Sequence, residues 1–147
     1  MTSAAAAARD VARACGLLGL APFCALPAAI AIWPSRADLT VLVVAAYAAL
    51  ILSFLGGSRW GIALQALEPD PRALLLAMAP TLLAWGLLIG LHARERLQLF
   101  ALAAVLIVVG LWDLASPQGP AWYQRLRLTL TAGASGGLCL GALLLKG

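Results

Sequence analysis

Three arginines close to tryptophan and tyrosine are the residues of this chain best suited to binding chemistry. Arg59 interrupts an apolar run in the stretch SFLGGSRWG, and two more arginines follow an aromatic pair in PAWYQRLRL. A guanidinium group binds phosphate or carboxylate oxygens through two parallel N–H donors. With one nearby aspartate, these stretches predict a lipid-headgroup or anion site whose candidate residues are Arg59, Trp60, Asp113, Trp122, Tyr123, Arg125 and Arg127.

Ser135, in the stretch GASGG, is the residue that comes nearest to a hydrolytic motif. Its G-x-S-G pattern resembles the serine motif of rhomboid intramembrane proteases, whose serine nucleophile requires an adjacent base. The single histidine, His92, falls in a loop, whereas Ser135 falls near the middle of its predicted helix. We therefore expect no catalytic residue and no enzyme activity, and we interpret Ser135 as a packing residue that bonds back to its own helix.

The composition excludes several other classes of function. Hydrophobic residues make up 63% of the chain and charged residues 11%, which is far from the composition of soluble domains. The net charge of +4 comes mostly from arginines at the edges of apolar runs, so we expect no nucleic acid partner. Cys15, Cys24 and Cys139 lack CxxC spacing and neighbouring histidines, so we expect them to pack in the core rather than to bind a metal or form a disulfide, and we expect no cofactor.

The apolar runs predict an all-α membrane protein, an antiparallel bundle of five transmembrane helices. A helix needs about 20 mostly apolar residues to cross the hydrocarbon core, and residues 11–33, 39–67, 72–91, 97–114 and 121–145 meet this requirement. Proline, charge and turn formers separate them in PSRAD, EPDP, HARER and SPQGP. We therefore expect an N-terminal tail at residues 1–10 and a single transmembrane domain at residues 11–147.

The second and fifth predicted spans each carry a ridge of small residues, which predicts where helices pack closely. Residues four apart lie on one face of a helix, and small side chains there let helix backbones approach in lipid. We therefore expect the second and fifth spans to touch, and the leucine-rich fourth span to face lipid. The candidate helix-packing residues are Ser53, Gly56, Gly57, Gly61, Gly133, Gly137 and Gly141.

Arg59 is expected just inside the hydrocarbon edge, about 9 Å from the centre of its span. Helical side chains lean toward the N-terminus of their helix, which directs Arg59 deeper into the membrane. Asp113 at the end of the fourth span is therefore the expected partner, with Arg125 or Arg127 competing for the same carboxylate. Two alternatives stay open, namely a lipid phosphate as the partner and an arginine that snorkels to the surface.

Four stretches give the chain a family resemblance, which covers nearly all residues from Gly16 onward. They are LGLAPF, YAALILSFLGGSRWGIAL, APTLLAW and PAWYQRLRLTLTAG. With them the chain resembles an uncharacterised family of small bacterial membrane proteins related to the eukaryotic transmembrane protein 69 family. The resemblance implies a compact polytopic protein of the bacterial inner (cytoplasmic) membrane and supplies no reaction.

The distribution of positive charge predicts the orientation of the bundle. Six arginines fall on the side of the N-terminus, and four basic residues, including Lys146, fall on the other side. The positive-inside rule therefore predicts a cytoplasmic N-terminus. The first apolar run is too long for a signal peptide, so we expect an uncleaved first span.

Two functions fit these observations. The first is a non-catalytic accessory or assembly factor, or a small subunit, that packs against a larger membrane complex and contacts lipid headgroups. The second is a binder or carrier of a small molecule, lipid or quinone that acts as an oligomer. Membrane lipids are expected partners of both, and an open groove leading to Arg59 would favour the second.

Overall fold

The computed structural model describes residues 3–116 and 120–145, which form helices joined by short turns. The six α-helices are α1 (Ser3–Gly19), α2 (Ala21–Ile32), α3 (Ala37–Leu64), α4 (Pro71–Gly90), α5 (Glu95–Ala115) and α6 (Ala121–Leu144). These ranges contain no strand, and five segments are long and apolar enough to cross a membrane, with α1 and α2 together providing the first. The all-α fold with five spans is therefore confirmed. Lys146 lies outside the described residues.

Helix ends follow the local sequence. α1 begins at Ser3, several residues before the predicted first span, because the run of alanines after Ser3 has the highest intrinsic helix propensity. The first span breaks at Leu20, just before Pro22, which lacks the N–H needed to continue the hydrogen-bond ladder of α1. At the start of α4, the carboxylate of Asp70 accepts the Arg72 N–H at 2.9 Å, as a helix N-cap does.

Four helices form a ring around the apolar core. α2 contacts α3 and α6, and α5 closes the ring by contacting the same two helices. α4 packs on the outside against α3 and α5, while α1 packs against α6 and α2. Leucines from all four ring helices are fully buried in the centre, among them Leu26, Leu52, Leu102 and Leu138.

The predicted contact between the second and fifth spans is wrong. α3 and α6 lie across the ring from one another, and no described Cα atom of one approaches within 8 Å of the other. The glycines of α6 pack on α2 instead, because a side-chain carbon added at Gly137 would overlap the carbonyl oxygen of Phe23. Gly133 and Gly141 lie against Leu20 and Leu26 in the same way.

Only part of the small-residue ridge of α3 packs against another helix of the bundle. A side-chain carbon at Gly56 would lie 2.5 Å from the carbonyl oxygen of Ala77, so this glycine sets the close approach of α4. Carbons added at Gly57 or Gly61 would meet no described atom within 4 Å, and Ser53 is half-buried. Gly57 and Gly61 are therefore not packing residues within this bundle, contrary to the prediction.

The fourth span also differs from its prediction. α5 is the most buried of the five spans, with 39% of its most apolar stretch inside the bundle, and it contacts three other helices. Leucine and valine side chains interdigitate well at ordinary interhelical distances, so a central helix does not require a ridge of small residues. α5 is thus a central helix, and the expected exposure to lipid holds only for its outer side, which carries Val108 and Leu111.

Candidate functional site

Arg59 lies on the buried side of α3 and is only 6% exposed. Its Nη1 donates to Asp113 Oδ1 at 2.5 Å, and its Nη2 donates to Ser116 Oγ. The guanidinium carbon lies 3.7 Å from the centre of the Trp112 ring, which adds a cation–π contact. The predicted pairing of Arg59 with Asp113 is confirmed, and the arginine does not snorkel away from the bundle.

Asp113 is shared between two arginines. Arg127 Nε donates to Asp113 Oδ2 at 3.0 Å, and Arg127 Nη2 donates to the same oxygen. Each carboxylate oxygen therefore holds one guanidinium group, so Arg127 joins Arg59 rather than competing with it. We name Arg59, Asp113, Arg127 and Ser116 the charge cluster, which ties α3, α5 and α6 together and has a net charge of +1.

Ser116 is a member of the charge cluster that the sequence analysis did not identify. It follows the last residue of α5, and its Oγ donates to the Trp112 carbonyl oxygen at 3.0 Å while accepting from Arg59. Its position three residues after Asp113, on the same face of the helix, was the available signal. A serine at a helix end is common, so that signal alone is weak.

The remaining candidate residues lie outside the charge cluster. Arg125 is two residues before Arg127, which rotates it about 200° around α6, and its side chain is exposed. Trp60 is 36% exposed, which fits an interfacial belt of aromatic residues. Trp122 lies beside α1, where the guanidinium carbon of Arg9 is 5.8 Å from its ring centre. The structure thus separates the predicted single site into two.

An apolar cleft of about 480 Å³ opens beside the charge cluster. Residues of α1 and α2 form one wall, α3 forms the other, and α5 and α6 contribute the remaining lining residues. Along α3 the cleft extends from Tyr47 to Leu55, which corresponds to about 12 Å of helix. Its polar lining residues include Tyr123 and Arg127, so it reaches the charge cluster at Arg127. Arg59 does not line it, so the open groove that would favour a binder stops short of Arg59, at Arg127.

A much smaller cavity of about 30 Å³ borders Arg59, Asp113, Tyr123 and Arg127 directly. That volume is enough for a water molecule. At the other end of the cleft, the Tyr47 hydroxyl donates to the Gly19 carbonyl oxygen at 3.0 Å, where α1 ends. This bond ties the break between α1 and α2 to α3 at that end of the cleft.

Comparison with known proteins places the chain in a family. A family model described as a protein of unknown function, DUF3429, matches residues 8–145. The chain belongs to the DUF3429 family. This DUF3429 chain is similar to Transmembrane protein 69 of Xenopus tropicalis, with 38% identity over 125 residues that cover 79% of the chain and 47% of the relative.

A second similar protein is Transmembrane protein 69 of Mus musculus, with 33% identity over 124 residues that cover 78% of the chain and 48% of the relative. The DUF3429 chain thus spans about half the length of the curated relatives it matches. No solved structure matches it. The resemblance expected from the sequence is confirmed, and with five spans the DUF3429 chain is a multi-pass membrane protein.

The serine motif of the DUF3429 chain lies away from any base in the described residues. Ser135 is 5% exposed, and its Oγ has no hydrogen-bond partner in the described ranges, so the expected bond back to its own helix is wrong. His92 is exposed in the turn after α4, at the opposite end of the bundle from the charge cluster. Ser135 is a small residue of α6 that packs against the neighbouring helices.

Two polar side chains of the DUF3429 chain that sequence reasoning missed hold helix ends at the opposite end of the bundle. Arg96 Nε donates to the Ala142 carbonyl oxygen at 3.1 Å, and its Nη2 donates to the Leu145 carbonyl oxygen. Gln98 Nε2 donates to the carbonyl oxygens of Leu87 and Leu88 at 3.1 and 3.3 Å. Arg96 thus binds the end of α6, and Gln98 binds the last turn of α4, where the Leu87 carbonyl oxygen also accepts the Leu91 N–H at 3.1 Å.

Proposed function

We propose that this DUF3429 protein is a non-catalytic binder of a membrane amphiphile, either a lipid or a quinone. The apolar part of the ligand occupies the cleft between α1–α2 and α3, and its polar head lies at Tyr123 and Arg127. The observation that carries the proposal is the cleft itself, which is apolar along its length and reaches a charged group at one end.

The size and chemistry of the cleft support this function. Ligand pockets usually measure about 300–1,000 Å³ and combine apolar walls with a few polar groups that orient the ligand. Phe23, Ile51 and Phe54 supply apolar wall, whereas Tyr123 and Arg127 supply hydrogen-bond donors. Donors at this end favour a head that accepts hydrogen bonds, such as a quinone carbonyl or a lipid ester.

The charge cluster supports binding by keeping the polar end of the cleft in place. Arg127 is largely buried, and its Nε and Nη2 both donate to Asp113, so its direction is set before a ligand arrives. A preformed donor lowers the ordering cost of binding. In this proposal Arg59 and Asp113 position Arg127 and do not themselves contact the ligand.

Filling the cleft tests the proposal. Ala12 lines the cleft, and Ala14 on the same helix is exposed outside the lining, so Ala14→Trp is a matched control for Ala12→Trp. The probes are decylubiquinone and phosphatidylcholine, with native mass spectrometry of detergent-purified protein as the measurement. We expect Ala12→Trp to weaken binding of at least one probe by about tenfold or more, because its indole occupies space that an apolar chain would fill.

The control variant shows whether a loss of binding comes from filling the cleft or from adding a tryptophan to α1. Ala14→Trp should bind the probe as the unaltered protein does. Equal affinity in both variants and the unaltered protein, or no binding of either probe at all, would show that the cleft does not hold an amphiphile.

An accessory role in a larger membrane complex is the second candidate, and the open part of the α3 ridge favours it. Gly57 and Gly61 have no described atom near their missing side chains, which leaves room for a partner helix to approach closely. A photo-crosslinking residue at position 61, compared with one at the similarly open Gly86 on α4, tests this role. A defined protein adduct from position 61 alone supports it, and recovery of the protein without adducts contradicts it.

A further inference from the structure

A second groove lies on the other side of α1, between that helix and α6. It measures about 340 Å³ and shares Leu126 with the apolar cleft. Arg9 and Arg13 line it from α1, and Trp122 and Arg125 line it from α6. We name these four residues the basic groove. Arg9 and Arg13 are four residues apart, which places both on one face of α1.

The basic groove concentrates positive charge without a carboxylate. The ion pairs in the described parts of the chain are those of Asp113 with Arg59 and Arg127, and neither involves the three arginines of the groove. Asp10 is exposed on α1 and does not line the groove. Three neighbouring guanidinium groups repel one another, so a bound anion would relieve that repulsion.

The aromatic residue of the groove orients one of these arginines. The Arg9 guanidinium carbon is 5.8 Å from the centre of the Trp122 ring, within the range of a cation–π contact. Arg9 Nε is buried and has no hydrogen-bond partner among the described residues. Arg9 is therefore held by its contact with Trp122 and not by an acceptor, which leaves its terminal N–H donors available to a ligand.

We propose that the basic groove binds a phosphate group, carried either by an anionic phospholipid or by a free phosphate. Arginine forks match the geometry of phosphate oxygens, and two or three of them can hold one phosphate from different sides. The groove lies at the start of α6, and Leu17 and Thr129 extend it along the helices. A phospholipid seated there directs its acyl chains along Leu17. This site stands independently of the amphiphile proposed for the cleft.

Single arginine replacements with a matched control test this site. Arg125→Gln and Arg13→Gln each remove one charge from exposed positions in the groove, and Arg72→Gln removes one from an exposed position at the start of α4, at the same end of the bundle. The probes are phosphatidylglycerol, diacylglycerol with the same chains, and inorganic phosphate. Binding is measured on detergent-purified protein by native mass spectrometry and by the shift in thermal unfolding, and circular dichroism checks the fold of each variant.

We expect phosphatidylglycerol to bind more tightly than diacylglycerol, and Arg125→Gln and Arg13→Gln to weaken it by about tenfold, the effect of one charge-assisted hydrogen bond. Arg72→Gln should leave the affinity unchanged. A response to inorganic phosphate that depends on Arg125 would identify free phosphate as the source, and its absence would identify the lipid headgroup. Equal losses in all three variants, no loss in the two groove variants, or equal binding of diacylglycerol would overturn the proposal.

Discussion

Asp113 is the acceptor on which the charge cluster depends, because each of its oxygens holds an arginine from a different helix. The sequence predicts the pair with Arg59, since an arginine within an apolar run needs a partner and Asp113 ends a helix on the same side. The sequence does not predict which arginine of α6 also binds Asp113. Arg125 and Arg127 point in different directions, and the rotation of α6 about its axis is set by packing.

Replacing Asp113 by asparagine should destabilise the bundle by about 3 kcal/mol, because it leaves two largely buried arginines without a counter-charge. The measurement is thermal or denaturant unfolding in mild detergent. Glu68→Gln is the control, since Glu68 is an exposed carboxylate in the loop at the same end. Unchanged stability of Asp113→Asn would mean that Asp113 contributes nothing to holding the helices together.

The sequence predicts the helices themselves, but it does not predict most of the contacts between them. Lengths of apolar runs, Asp70 and the prolines indicate the number of spans and their ends to within a few residues, except at α1, where the alanine run extends the helix. A ridge of small residues indicates that some backbone comes close, without indicating which one. α2 packs on Gly137, and α4 packs on Gly56, because the ring order places α3 and α6 on opposite sides.

Gly137→Leu should therefore weaken the contact between α6 and α2. The added side chain would overlap the backbone of Phe23, and overpacking of this kind costs about 1–3 kcal/mol. Gly136→Leu serves as the matched control, because the adjacent glycine is exposed and a side-chain carbon there meets no described atom within 4 Å. Thermal unfolding midpoints that fall equally for both variants would contradict the packing role of Gly137.

At the scale of the whole molecule, α1 separates two surfaces that differ in chemistry. One side of α1 faces the apolar cleft, and the other side faces the basic groove. Neither surface could be predicted from the sequence, because each needs the break at Leu20 that sets the path of α1 across α6. The sequence does predict arginines and aromatic residues at this end, and the cytoplasmic location of the N-terminus stays a prediction.

Cys15 and Cys24 of the first span are exposed, contrary to the expected core packing, so their reactivity can be used to probe the cleft. Cys15 lines it, whereas Cys24 on α2 does not. We expect decylubiquinone to slow the alkylation of Cys15 by a lipid-soluble maleimide and to leave Cys24 unaffected, because a bound ligand covers the Cys15 thiol. Peptide mass spectrometry over a time course measures both rates in one sample. Equal slowing of both cysteines would indicate a general effect of the quinone on the detergent micelle.

The charge cluster can form only late in the synthesis of the chain. Arg59 and Asp113 are 54 residues apart, so α3 and α4 leave the ribosome before the carboxylate exists. Until α5 arrives, the membrane holds a helix with an uncompensated charge near its end, whose cost is smaller than that of an unpaired arginine at mid-membrane, about 2.5–3.5 kcal/mol on insertion scales. A nascent chain that stops after α4 therefore carries an unpaired arginine, and this charge is compensated only when α5 brings Asp113.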